Sequence, residues 1–164
     1  MKKNVSLYWD GYFMSLAKIS AMRSKDPVTK VGACIVNEDN IIVSLGYNGM
    51  PKGNDVAFPW GKDENDKMNT KYSYVVHAEI NAILNTRANL KNCTLYVSLF
   101  PCDNCAKVIA QTGIKEIVYQ EDKYHDTVEF AISRKILKES NIQTRKIAID
   151  THVNVRVGDK EYSN

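Results

Sequence analysis

His77-Ala78-Glu79-Ile80-Asn81-Ala82-Ile83 opens a helical stretch, and Leu99-Phe100-Pro101-Cys102-Asp103-Asn104-Cys105 carries a β-rich run into a second helix. Residues at i and i+2 do not share a helix face. His77 and Glu79 can therefore converge on one point only at a helix end. Cys102 and Cys105 stand three apart and do share a face of a helical turn. Pro101 sits just ahead of that turn, where its missing N–H costs nothing. The spacing predicts two helix N-termini meeting at one place.

Outward from these stretches the chain alternates. Ser6 to Met22 has apolar residues at helical spacing, and Pro27 marks the break that follows. Val31 to Val36 and Ile41 to Tyr47 are β-rich, joined by the turn Asn37-Glu38-Asp39-Asn40. Lys52 to Tyr74 is polar and aperiodic, and a loop of that length inside a compact domain is usually functional or mobile. A lid or regulatory loop is expected there. Val76 to Arg87 reads as a helix, Thr94 to Leu99 as a strand, and Asn104 to Thr112 as a short helix stopping at Gly113. Ile114 to Tyr119 reads as a strand, Thr127 to Ser140 as a helix, and Ile142 to Ile149 as a last strand of unclear register. A helix, a hairpin and then alternating helices and strands favour an α/β sandwich with a mixed sheet, one domain over 1–164.

Bulk properties set bounds. The 164 residues suit one domain with a core that needs no disulfides. A net charge of +3, from 22 basic and 19 acidic residues, gives no footprint for long nucleic acid, yet allows a small anionic substrate. No stretch approaches the roughly 20 apolar residues that span a bilayer, and Met1 to Asp10 holds no apolar run of leader length. A cytoplasmic, reducing setting is the expectation. There a C-x-x-C is more often metal-binding or redox-active than a disulfide.

Imidazole plus two thiolates suits zinc best. Three protein ligands leave one coordination position open, the mark of a catalytic rather than a structural site. The positive ends of the two helix dipoles favour thiolates at Cys102 and Cys105. A structural zinc would need a fourth ligand. Cys34, Cys93, His125 and His152 are the candidates, and none has a ligand-spaced partner. Cys34 lies in the apolar run Val31-Gly32-Ala33-Cys34-Ile35-Val36 and reads as core. A purely redox C-x-x-C would leave His77 and Glu79 unexplained.

His77-x-Glu79 followed by Pro101-Cys102-x-x-Cys105 is the signature of zinc nucleobase deaminases. The chain resembles the cytidine deaminase superfamily, and within it the deoxycytidylate (dCMP) deaminase family, from about Trp9 to about Ile142. Ser24-Lys25-Asp26-Pro27 is part of the likeness, and the narrower match rests on Gly46-Tyr47-Asn48-Gly49-Met50-Pro51, Leu99-Phe100-Pro101 and Asp122-Lys123-Tyr124-His125-Asp126. The resemblance implies a three-layer α/β/α sandwich around a central five-stranded mixed sheet. It implies a hydrolase that converts dCMP to dUMP and ammonia. Zinc is then held by His77, Cys102 and Cys105, with Glu79 as the proton shuttle. Some members of the family carry a second zinc site, but this chain has too few spare Cys and His in suitable spacing, so one ion per subunit is expected. It also implies a homo-oligomer, a hexamer by preference, activated by dCTP and inhibited by dTTP, with Mg²⁺ accompanying the effector. The effector region falls on Gly46, Tyr47, Gly49, Met50 and Lys52.

A monophosphate substrate needs a phosphate site, and Arg23-Ser24-Lys25 offers two cations and a hydroxyl at the end of the first helix. A solvated cationic helix end is the plain alternative. Asn48 is expected to contact the sugar, its rival role being a left-handed turn position. Ala78 lies inside the metal motif, and Ser98 precedes the cysteine turn, where backbone carbonyls can accept the leaving amino group. Tyr124 follows a strand end, where α/β folds bind ligands, so it can reach the phosphate or stack on the base, or simply pack. The rival functions are a tRNA adenosine deaminase, a free cytidine deaminase and a non-catalytic zinc-dependent nucleotide sensor.

Overall fold

The computed structural model describes residues 6–52 and 54–164; the start of the Met1–Asp10 stretch and Gly53 of the long loop lie outside the described residues. The chain runs α1 (Trp9–Ala21), β1 (Gly32–Val36), β2 (Ile42–Tyr47), α2 (Ala78–Leu84), β3 (Thr94–Leu99), α3 (Asp103–Ala110), β4 (Glu116–Glu121), α4 (Val128–Glu139) and β5 (Gln143–Lys146). A hairpin of β6 (Asn154–Val157) and β7 (Lys160–Ser163) follows. The five-stranded sheet has the order β2-β1-β3-β4-β5. β1 is antiparallel to both β2 and β3, whereas β3, β4 and β5 run parallel. The expected α/β class and five-stranded mixed sheet are therefore present.

Strand alternation assigns the two faces. Ala33, Ile35, Leu95, Val97 and Ile117 point into the core beneath α2, α3 and α4. Cys34, Val36, Tyr96 and Val118 point the other way, onto Phe13, Met14 and Ala17 of α1. One helix covers one face and three cover the other. Full burial of Phe13 and Met14 stabilises the α1 side by roughly 1.5–3 kcal/mol per side chain. Asp10 anchors the start of α1, accepting hydrogen bonds from the Tyr96 hydroxyl at 2.8 Å and from the Arg145 guanidinium at 2.6 and 2.9 Å.

Two glycines set the distance from helix to sheet. A methyl at Gly32 would sit 1.7 Å from the Ala17 carbonyl oxygen of α1. At Gly46 it would sit 2.4 Å from the Ala78 carbonyl oxygen and the Ala82 nitrogen of α2. Gly32 and Gly46 belong to neighbouring paired positions, Gly32 with Tyr47 and Ala33 with Gly46. The β1–β2 ladder is thus pinched from both sides. Gly46, expected in an effector region, is placed by the structure in this packing role.

Several bounds move inward from the sequence expectation. The helix expected over Val76 to Arg87 begins at Ala78, because Val76 pairs with Gly49 and His77 has extended backbone, φ −71° and ψ 157°. The last sheet strand shrinks to Gln143–Lys146, flanked by buried Ile142 and Ile147. The terminal hairpin was not expected. Its strands are almost wholly exposed, although Val153, just ahead of the first of them, and Val155 and Val157 within it alternate with polar neighbours. Its sequence signal is Gly158-Asp159 between Val157 and Lys160, with Gly158 at φ 61°. No helix of the described residues is long and apolar enough to cross a membrane.

Gly32→Ala and Gly46→Ala should each destabilise the fold by about 1–3 kcal/mol, since backbone atoms must move to admit the methyl. Gly49→Ala, with open space around it, should change stability by less than about 0.5 kcal/mol. Urea denaturation of the three variants checks this.

Candidate active site

α2 and α3 both start without a side-chain cap. The N-cap positions, which usually hold Ser, Thr, Asp or Asn, are His77 and Cys102, and neither makes a capping bond. Instead both side chains turn toward each other. His77 Nδ1 lies 3.5 Å from Cys102 Sγ and 3.3 Å from Cys105 Sγ, and the three donor atoms all fall within 4.8 Å of one another. Tetrahedral zinc, with bonds of about 2.3 Å to sulfur and about 2.0–2.1 Å to nitrogen, spaces N and S about 3.6 Å apart. The donor set and its spacing fit zinc. Among the described residues this is the one group of three such side chains.

The fourth side of the triad has no protein ligand among the described residues. Cys34 is buried in the α1-side core and Cys93 in the opposite one. His125 Nδ1 lies 3.0 Å from Asp122, and Arg134 reaches both. Support for the cysteine turn comes from α4, whose fully buried Ser133 donates its hydroxyl to the Pro101 carbonyl at 2.7 Å.

The charges in this trio are strongly perturbed. The Cys102 thiol is pulled down to about 4, first by a hydrogen bond from Cys105 and then by the His77 ring. His77 is raised to about 9 by its bond to Cys102, against the cost of burial. Cys105, bonded to the Cys102 sulfur and buried, is pushed up. Glu79 lies at the second position of α2 and is only 3% exposed. Burial raises its carboxyl, and the His77 charge opposes that rise. A carboxyl held in a dry site beside a cation is suited to taking up a proton and giving it back.

A cavity of about 580 Å³ opens onto the triad. Its wall comes from the segments just before β1 and just after β2, the end of β3, the starts of α2, α3 and α4, and the long loop. Of the residues expected at the site, His77, Ala78, Glu79, Cys102, Asn48 and Tyr124 line it, and Cys105 lies behind the wall. The structure does not bring Arg23, Ser24, Lys25 or Ser98 to its wall. Arg23 is exposed, and Ser24 turns inward to accept a bond from the Asp26 N–H. Lys25 pairs with Asp55 at 2.5 Å. The Ser98 hydroxyl accepts the Gly32 N–H at 3.1 Å.

Asn48 is buried and does not take a left-handed backbone. Its carbonyl accepts from Val31 N–H at 2.9 Å, and its amide donates to the Thr29 carbonyl at 2.9 Å and to Asp26 at 3.4 Å. Of the effector-region residues, Tyr47 and Lys52 are exposed, Met50 is buried, and Gly49 exchanges two backbone hydrogen bonds with Val76. Sequence reasoning missed Asp26, Thr29, Lys71 and Tyr72 as wall residues. The Lys71 and Tyr72 signal is faint: a lysine and a tyrosine in a polar loop.

A family profile described as the cytidine and deoxycytidylate deaminase zinc-binding region matches residues 7–121. The chain belongs to this family. It is 51% identical over 147 residues to the deoxycytidylate deaminase of Mus musculus, covering 88% of this chain and 83% of the mouse protein. The probable deoxycytidylate deaminase of Drosophila melanogaster is 46% identical over 152 residues, covering 88% and 75%. The fold is similar to the crystal structure of dCMP deaminase from cyanophage S-TIM5 in complex with dCMP and dUMP. That likeness has a TM-score of 0.68 and 23% identity, and covers 88% of this chain and 100% of the phage chain.

Elemental analysis of the purified protein should return one zinc per chain, with His77→Ala and Cys105→Ala each losing it. Two per chain would contradict a single centre. Zinc should also be released as the pH falls, because protons compete for the same three donors.

Proposed function

We propose that this protein deaminates dCMP hydrolytically to dUMP and ammonia. The observation that carries the reading is the triad of His77, Cys102 and Cys105 with Glu79 buried at its side, at the end of one cavity. The relatives named deoxycytidylate deaminase, at about half identity over most of the chain, support the choice of substrate. His77, Cys102 and Cys105 would hold zinc, which would supply an acidified water, with a pKa of about 7, at its open position.

Glu79 would take a proton from the attacking water and pass it to the ring nitrogen beside the reacting carbon. It later delivers a proton to the departing amine, so the C–N bond breaks and the new oxygen stays on the ring. Burial keeps Glu79 ready for this role by making its protonated form accessible. Ala78 and the Leu99–Phe100 end of β3 shape the base pocket. Tyr124 packs at 5.4 Å on Phe130 and offers one face of the cavity wall to the nucleotide. Asn48 lies at the sugar end, where its Oδ1 has one lone pair left to accept a sugar hydroxyl, both amide N–H groups being given to Thr29 and Asp26.

Regulation belongs to the same reading. The segment Gly46, Tyr47, Gly49, Met50 and Lys52 flanks the cavity-lining Asn48 and leads into the long loop, so a nucleotide seated there could reach the site through Asn48. dCTP would activate and dTTP inhibit, with Mg²⁺ accompanying the triphosphate. The working form is a homo-oligomer, a hexamer by preference, in the cytoplasm.

Ammonia release from dCMP, CMP, deoxycytidine and a tRNA anticodon stem-loop tests the substrate. dCMP should be turned over fastest, and deoxycytidine at an equal rate would defeat the monophosphate reading. Preference for the stem-loop would indicate a tRNA adenosine deaminase, and binding without turnover a sensor. Glu79→Gln should keep zinc and lose about 10²–10⁴-fold in kcat; a near-normal rate would remove Glu79 from the chemistry. Rate curves for dCMP should sharpen with dCTP and be depressed by dTTP, and curves indifferent to both would contradict the regulatory part.

A further inference from the structure

Among the residues that line the cavity, Lys71 is the one lysine, and no arginine joins it. The other charged groups on the wall, His77 aside, are the carboxyls of Asp26, Glu79, Asp103 and Glu129. Lys71 comes from the long loop, in a 3-10 turn over Lys71–Ser73. Its side chain is 4% exposed, and its Nζ lies 2.5 Å from Oδ2 of Asp26, itself 2% exposed. Few lysines are buried so deeply, and a buried ion pair is weak evidence of stabilisation by itself.

The partners of the pair are unequal. Asp26 is saturated. Its Oδ1 accepts the Val28 and Thr29 N–H groups at 2.9 Å each, and its Oδ2 accepts Lys71 and the Asn48 amide. These donors hold its carboxyl below the usual range despite burial. Lys71 is not saturated. An ammonium has three N–H donors, and among the described residues Asp26 is the one acceptor it meets. Two donors meet no acceptor among the described residues; the other neighbour of the ammonium is the ring of Tyr72, also on the cavity wall, 5.7 Å from Nζ to its centre. Asp26 can also stay charged on its other donors while the ammonium is shared.

We propose that Lys71 is a specificity-determining residue that binds the 5′-phosphate of the nucleotide, held in place by Asp26. This assignment rests on the deaminase reading given above. It moves the phosphate from the Arg23-Ser24-Lys25 turn, which does not reach the cavity wall, to the cation that does. The phosphate is untouched by the reaction, so its contact is the same in substrate, transition state and product. Such uniform binding acts on KM more than on kcat.

The test is the ratio of kcat/KM for dCMP to that for deoxycytidine, measured on zinc-loaded full-length protein and its Lys71→Met variant. Losing a charge-assisted hydrogen bond should reduce that ratio by about ten- to a hundredfold, mainly through KM for dCMP. Calorimetry of dUMP against deoxyuridine should show the same selective loss, with no turnover involved. Lys71→Arg, which keeps the charge, should recover part of the ratio. If Lys71→Met fails to fold, Asp26→Asn/Lys71→Met removes both charges, keeps an acceptor for Val28 and Thr29, and is read in the same way.

Equal losses on dCMP and deoxycytidine would make Lys71 purely structural and overturn the proposal. So would a larger fall in the ratio for Lys25→Ala than for Lys71→Met. A wild-type protein that binds dUMP through Lys71 but releases no ammonia from dCMP would instead sink the deaminase reading alone.

Discussion

Everything at the site depends on two helices starting at the same place with the wrong capping residues. A helix N-terminus leaves several N–H groups without partners, and a short polar side chain normally satisfies one of them. Here His77 and Cys102 occupy those positions and cap nothing. Their side chains are thereby free to converge, with Cys105 one turn further on. The cost of two uncapped starts is of the order of 1 kcal/mol each, and bound metal can offset far more than that. Hydrogen bonds among the three groups draw Cys102 down to about 4 and His77 up to about 9.

The sheet makes that meeting rigid. β3 delivers Pro101 and Cys102, and the carbonyl of Pro101 is tied to Ser133 of α4. α2 is seated on β2 by direct backbone approach at Gly46, so the height of His77 above the sheet is fixed by main-chain contact rather than by side chains that can rearrange. On the opposite face α1 is seated in the same manner at Gly32. The long loop then returns to the site through the Gly49–Val76 bridge and the Asp26–Lys71 pair, and supplies wall residues on the side away from the sheet.

The metal-binding part of this arrangement was legible in the sequence because its determinants are local. Spacing of two and of three residues, read against helix geometry, places His77, Glu79, Cys102 and Cys105 with no knowledge of the tertiary fold. The core strands were legible for the same reason: Cys34 to Val36 and Leu95 to Val97 are apolar runs of strand length. What escaped was non-local or exposed. Arg23 and Lys25 form a cationic cluster in sequence, but the chain turns Ser24 and Asp26 inward, so both cations face away from the cavity wall. Lys71 has no neighbour in sequence that marks it, and its significance comes from Asp26, 45 residues earlier. The terminal hairpin is exposed, and it escaped despite a local signal, Val153, Val155 and Val157 alternating with polar residues ahead of Gly158-Asp159.

The central claim is that the metal is held by three protein side chains and no more. X-ray absorption at the zinc edge measures this directly. The account predicts two sulfur neighbours at about 2.3 Å and two light-atom neighbours at about 2.0–2.1 Å, of which one belongs to an imidazole and the other exchanges with solvent. A first shell of three sulfurs, or of two imidazoles with two sulfurs, would close the sphere with protein and contradict it.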